Sequence, residues 1–171
     1  MWRQTRGTSC AVRDSFMCAG GLPVANATHA IDCCLAALEV QAFMNQMRDI
    51  KIRHGFDYWE LRLGINSGPL VAGVVGHRKF AYDVWGDTVN TASRMESSGV
   101  PGKINISNAT YDLVKELFAC EHRGRVSAKN KGEIDMYFLM GIRPELSVDG
   151  GGRVPNKDFL SEYQNLQSVG I

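Results

Sequence analysis

Between Tyr82 and Glu96 the chain reads YDVWGDTVNTASRME. This stretch carries a carboxylate at Asp83, an amide at Asn90 and a guanidinium at Arg94, types that hydrogen-bond and balance anionic charge. Gly86-Asp87-Thr88 opens a helix with Asp87 as N-cap, running to about Ser97. Asn90 and Arg94, four apart, then share one face. On spacing alone that face reads first as solvated, and Asp83 as a turn or edge-strand carboxylate.

Other chemistries have weaker footing. There is no GxxxxGK[ST], GxGxxG or GxSxG. The five cysteines form no CxxC pair, which argues against a disulfide framework or zinc site and for reduced, mostly buried thiols. The four histidines include no HxxxH pair. Gly68 to Gly76 is glycine-rich, but its apolar filling suits a close-packed hairpin better than a phosphate cradle.

The elements that must position these residues follow from periodicity. Ala11 to Ala19 suits a strand or a strand–turn–strand, broken by Gly20-Gly21-Leu22-Pro23. Helical spacing runs from about Thr28 to Arg53. Tyr58 to Asn66 alternates as a half-buried strand, Ser67-Gly68-Pro69 turns, and Leu70 to Val75 pairs back as a hairpin. A short strand over Phe80 to Trp85 precedes the Asn90 helix. Beyond it come a strand at Ile104–Ile106, a helix capped by Ser107, a strand over Cys120–Ser127, a basic turn at Lys129–Glu133, a strand over Ile134–Met140 and a terminal helix near Asp158–Gln167. Alternating helices and strands predict an α/β fold, an α+β sandwich with helices packed on a mixed or antiparallel sheet.

YDVWGDTVNTASRMESSGVPGKINIS resembles the core signature of class III nucleotidyl cyclases, the adenylyl and guanylyl cyclases. LRLGINSGPLVAGVVG, AKNKGEIDMYFLMG and VRDSFMCAGGLP resemble that family's hairpin, its lysine turn with the last strand, and its metal-binding hairpin. The flavour is that of bacterial adenylyl cyclases related to the receptor type. The resemblance implies a ferredoxin-like catalytic domain over residues 12–143, with a non-family or disordered start at 1–11 and a C-terminal tail at 144–171. It implies ATP as substrate, cyclic AMP and pyrophosphate as products, and an active site between two paired domains, as homodimer or heterodimer. Two Mg2+ or Mn2+ ions serve phosphoryl transfer in this family. Carried over by position, Asp14 is a metal ligand, Asn90 orients the ribose, and Arg94 stabilises the transferring phosphate. Lys129 reaches the terminal phosphates beside Lys131, and Asp83 selects the base. A carboxylate there accepts from the adenine amino group and repels the guanine carbonyl.

Three positions depart from the family pattern. The strand bearing the first metal aspartate is missing, which predicts an N-terminally truncated product, weak or inactive alone, with exposed sheet edges. Arg13 replaces a turn glycine. Cys10 occupies the second base-selecting position, where adenylyl cyclases carry lysine and guanylyl cyclases glutamate. A non-catalytic cyclase-like partner domain and a guanylate cyclase are the alternatives.

Composition bounds the remaining classes. Lys and Arg number 19 against 18 Asp and Glu, a net charge of +1, which gives no reason to expect nucleic-acid binding. The chain has no apolar run long enough to span a membrane and begins without a signal-peptide pattern, so a cytoplasmic domain is expected, with any membrane tether elsewhere in a parent protein.

Overall fold

The computed structural model describes residues 3–11, 16–76, 80–128 and 132–169. One seven-stranded sheet carries the chain: β1 (Arg3–Ala11), β2 (Met17–Gly20), β3 (Leu63–Val75), β4 (Ala81–Trp85), β5 (Ile104–Ser107), β6 (Phe118–Ala128) and β7 (Gly132–Ile142). Its order is β2-β1-β3-β5-β7-β6, with β4 also on β3. Four helices join it: α1 (His29–Arg53), α2 (Asp87–Ser97), α3 (Asn108–Val114) and α4 (Lys157–Val169). The α/β sandwich with a mixed sheet is the observed architecture, since β3 and β5 run parallel while the other pairs are antiparallel.

The sheet has two unlike faces. Period-2 alternation sends Leu63, Ile65, Ile104 and Ile106 into an apolar core with Ile31, Cys34 and Ala37 of α1, and with Val114 and Phe118. The alternate residues, Gly64, Asn66, Asn105 and Ser107, are small or polar; the first three contact α2, and Ser107 donates to Asn66.

Three expectations change. Residues 58–62 are not strand, and 63–75 form one continuous β3 rather than two strands about a turn. On one side β3 pairs with β1 over Gly64–Ala72. On the other it pairs with β5 over Leu63–Ile65 and with β4 over Val71–Val75. Asn66 to Leu70 fall between those two partners, so Pro69, which has no N–H, interrupts no bond there. Second, the polar start forms β1, which lies between β2 and β3. Ladders on both sides supply what its sequence pattern lacks, and the sheet is closed rather than open at that position. Third, Asp87 is the first helical residue of α2, and the N-cap is Gly86 at φ 137°. Ser107 does cap α3, accepting from the Thr110 N–H at 3.3 Å.

The segment after residue 143 belongs to the same core. Phe159 of α4 is 1% exposed and meets Phe118 edge to face at 5.8 Å. The Tyr163 hydroxyl donates to Asp32 of α1 at 2.6 Å.

The approach of α2 to β3 leaves no room for a side chain at Gly64. A Cβ there would stand 2.1 Å from the Glu96 nitrogen and 2.6 Å from the Ala92 oxygen, all backbone. We expect Gly64→Ala to cost about 3 kcal/mol or more. Gly151→Ala, where a Cβ meets only Asp149 at 3.4 Å and beyond, serves as the tolerated control. Urea midpoints of the two variants against the parent chain check this.

Candidate functional site

The residues with chemical promise sit on two neighbouring supports. The first is α2. Its buried side is Thr88, Thr91, Ala92, Met95 and Glu96, so helical geometry leaves Asn90 exposed and Arg94 half-buried on the far side. Buried polar groups fix the helix in place. Asn66 donates through Nδ2 to the Thr88 carbonyl at 3.1 Å, and accepts from the Ser107 hydroxyl at 2.7 Å. Asn105 donates to the Met95 carbonyl at 2.9 Å. The Thr88 hydroxyl donates to the Pro69 carbonyl. Arg62 pairs with the buried Glu96 at 3.1 Å. At the C-terminal end, Arg123 of β6 donates to the Ser98 carbonyl. The amide and the guanidinium are thus presented from a helix whose position is set by groups on three strands.

The second support is a cleft of about 550 Å3 between β2, the turn at Leu22-Pro23 and β4. Met17, Cys18, Tyr82, Asp83 and Val84 line it. Asp83 of β4 stands opposite Gly73 of β3, and among the described residues β4 pairs with β3 alone. Its Oδ1 accepts from the Val84 N–H at 2.8 Å. That bond fixes the carboxyl group and leaves the second oxygen to accept from a ligand. Asp83 and α2 are joined through Trp85-Gly86, so cleft wall and helix start belong to one continuous stretch. Cys10, the other base-selecting candidate, pairs in register with Cys18 of the cleft.

Asp14, Lys129 and Lys131 lie outside the described residues, as does Arg13. The strands leading to the last two are described. In them Asp135 takes His122 at 3.0 Å and Arg125 at 3.6 Å, and the His122 bond holds its carboxyl below the usual range. Among the described residues no group of three or more His, Cys, Asp or Glu could hold a metal ion. They do not by themselves fit a two-metal centre.

The thiols are poor candidates for chemistry. Burial pushes Cys33 up to about 12 and Cys120 up to about 11, and raises the fully buried Cys34 well above its ordinary value. Such groups are not thiolates at neutral pH. Reading by motif missed the residues that seat α2: Gly64, Asn66, Asn105, Ser107 and Arg123. A strand glycine followed by a polar residue on the same face was the available signal for the first two.

Comparison with known proteins bears on this arrangement. The sequence model of the adenylate and guanylate cyclase catalytic domain matches residues 10–141. Human guanylyl cyclase C is 38% identical over 161 residues, covering 92% of this chain and 14% of that protein. Drosophila melanogaster guanylate cyclase 32E is 41% identical over 157 residues, covering 89% of this chain and 13% of that protein. The chain therefore spans about one-seventh of the length of these curated relatives. Among solved structures, the adenylyl cyclase CyaB from P. aeruginosa superposes with a TM-score of 0.75 at 21% identity, over 81% of this chain and 95% of that one. The guanylate cyclase domain of RhGC from Catenaria anguillulae, solved with GTP, gives 0.65 at 32% identity, over 74% and 67%.

Removing the Asn66 side chain leaves the Thr88 carbonyl and the Ser107 hydroxyl without that partner. We expect Asn66→Ala to cost about 1–3 kcal/mol and to loosen α2 before the apolar core. Hydrogen exchange should then show faster exchange at α2 amides, with α1 and β6 unchanged.

Proposed function

The chain belongs to the adenylate and guanylate cyclase catalytic-domain family, and from that premise we propose that it converts ATP to 3′,5′-cyclic AMP and pyrophosphate, serving intracellular signalling. The observation that carries the choice of ATP is Asp83 on the cleft wall, fixed through one oxygen and open at the other. Adenine presents an amino donor to such an acceptor. Guanine presents a carbonyl oxygen, and two acceptors facing each other repel.

The remaining roles follow from residue type and the family resemblance, and for Asn90 and Arg94 also from their place on α2. Asn90 orients the ribose from the exposed side of α2. Arg94, one turn further on, offers a planar cation to the phosphate under attack. Lys129 and Lys131 reach the terminal phosphates. Asp14 is the candidate ligand for magnesium or manganese, hard cations that take carboxylate oxygen.

A cyclase domain of this kind works as a pair, with itself or with another cyclase domain. The β3–β4 end supports this, since it exposes Val74, Phe80 and Tyr82 beside the cleft. Among the described residues no helix is long and apolar enough to cross a membrane. We propose a cytoplasmic location for the domain, whether or not a parent protein is tethered, since its proposed substrate, ATP, is held there.

A second reading, guanylate cyclase, is favoured by the curated relatives, named as guanylyl cyclases at 38% and 41% identity. One assay separates the two: cyclic nucleotide production with manganese, ATP and GTP offered separately, with and without an added complete cyclase domain. Cyclic AMP supports the reading, and cyclic GMP alone overturns it. Activity only with the added domain assigns the chain the partner role.

Two variants sharpen the test. Arg94→Ala should lower kcat by about a hundredfold with little change in KM, as expected for charge stabilised in the transition state. Asp83→Cys should reduce the ATP-over-GTP ratio of kcat/KM by about tenfold or more, the worth of one hydrogen bond to a charged acceptor. An unchanged ratio removes Asp83 from base selection.

A further inference from the structure

A second cavity lies away from the Asp83 cleft, where α1, the start of β5, the end of β7 and the glycine-rich loop before α4 meet. Its volume is about 270 Å3, just under the ~300–1,000 Å3 typical of drug-sized sites. Gln41 of α1 lines it and is 9% exposed. The Gln41 Nε2 donates to Asn45 at 3.1 Å, while its Oε1 has no hydrogen-bond partner. A buried carbonyl oxygen without a donor is costly. Leucine would pack at this position as Leu38 does one turn earlier, so the retained amide points to a donor that comes from outside the chain.

The charges on the same walls are of one sign. Lys103 and Arg153 both line the cavity. Lys103 lies over the Phe138 ring at 4.2 Å, and neither cation pairs with a carboxylate among the described residues. Asp149, the acid of the loop, is already committed. It accepts from the Ser147 hydroxyl, the Gly151 N–H at 3.1 Å and the Arg153 N–H at 3.3 Å. The loop is held tightly against β7. The Ile142 N–H donates to the Gly152 carbonyl at 2.7 Å, and a Cβ at Gly152 would stand 2.6 Å from the Ile142 oxygen. The glycine run, which has no part in the cyclase site, thus brings Arg153 to the cavity on a fixed backbone.

We propose that this cavity binds a small anion bearing a hydroxyl group, a phosphate monoester or a hydroxycarboxylate. The anionic group lies between Lys103 and Arg153, the hydroxyl donates to Gln41 Oε1, and the short carbon body rests on Leu38 and Phe138. No bond is made or broken.

The test uses the full chain, titrated separately with glycerol 3-phosphate, glycerate and inorganic phosphate. Amide NMR shifts and thermal melting follow the binding. Saturable binding of glycerol 3-phosphate or glycerate is expected, with shifts concentrated at Gln41, Lys103 and Gly151–Arg153 and a raised Tm. Whichever of the two binds identifies the class. Arg153→Ser should weaken it about tenfold or more. Gln41→Leu should raise the Tm of the free protein and abolish the ligand-dependent rise. The proposal fails if neither compound saturates at millimolar concentration, or if both variants bind as the parent does. It also fails if inorganic phosphate binds as tightly as glycerol 3-phosphate, since the hydroxyl would then make no contact.

Discussion

The close seating of α2 on β3 is the constraint from which the rest of the candidate site follows. At Gly64 and Gly68, two turns of helix lie where side chains would stand, against Glu96 at one end and the Thr88 hydroxyl at the other. Such an approach buries polar backbone and side-chain groups of both elements, and each needs a partner. Asn66, Asn105 and Ser107 supply partners from the sheet. The face that results is unsuited to an apolar core and specific to one helix in one position. That specificity is what holds Asn90 and Arg94 at defined points on the outer side, since side chains on a rigid element are placed more closely than side chains on a loop.

β3 has a second role as the hub of the sheet. It bonds to β1 along one side and to both β5 and β4 along the other. The interruption between β5 and β4 falls at Ser67-Gly68-Pro69, where a proline costs no ladder bond and a glycine admits Thr88. One short stretch therefore lets the strand change partners and receives the helix. β4, reached across this change, carries Asp83 to the cleft, and β2 closes the other wall through β1. The strand formed by Arg3–Ala11 matters for that reason: without a strand between β2 and β3, nothing described here would hold the cleft's two walls in one sheet.

Local periodicity made much of this legible. The spacing in α1, the alternation in Leu63–Ile65 and the Ser107 cap all give correct local readings, because each depends on near neighbours. The hairpin expected across Ser67-Gly68-Pro69 shows the limit. Those residues are turn formers in isolation, but whether they turn depends on which strands lie alongside, and that is a tertiary fact. β1 is the same case in reverse, since a polar, aperiodic sequence becomes a strand once two partners bond it. The roles of Asn66 and Asn105 were hidden for a related reason: an asparagine in a strand reads as a solvated residue until a helix end is known to lie above it. For the site itself, the pairing of Asn90 with Arg94 was readable from helix geometry. The cleft around Asp83 was not, because β2 and β4 are some sixty residues apart in the chain.

Likeness to guanylyl cyclases and an aspartate suited to adenine are not in conflict, because they report on different quantities. Identity near two-fifths over 157–161 residues speaks for scaffold and reaction class. Base choice is a difference between two affinities, set by the few donors and acceptors that meet the purine edge. Here those reduce to very few. If Cys10, whose backbone is in register with Cys18, holds the second base-selecting position as proposed, it brings a residue type that is only a weak donor and a weak acceptor, which would reward neither purine edge strongly. On the proposed reading, discrimination would then rest on Asp83. One charge-assisted hydrogen bond, with the repulsion that replaces it for the wrong base, is worth about 1.5–3 kcal/mol, or roughly ten- to a hundredfold. A site built this way prefers one nucleotide without excluding the other, in keeping with a scaffold that serves both reactions elsewhere in the family.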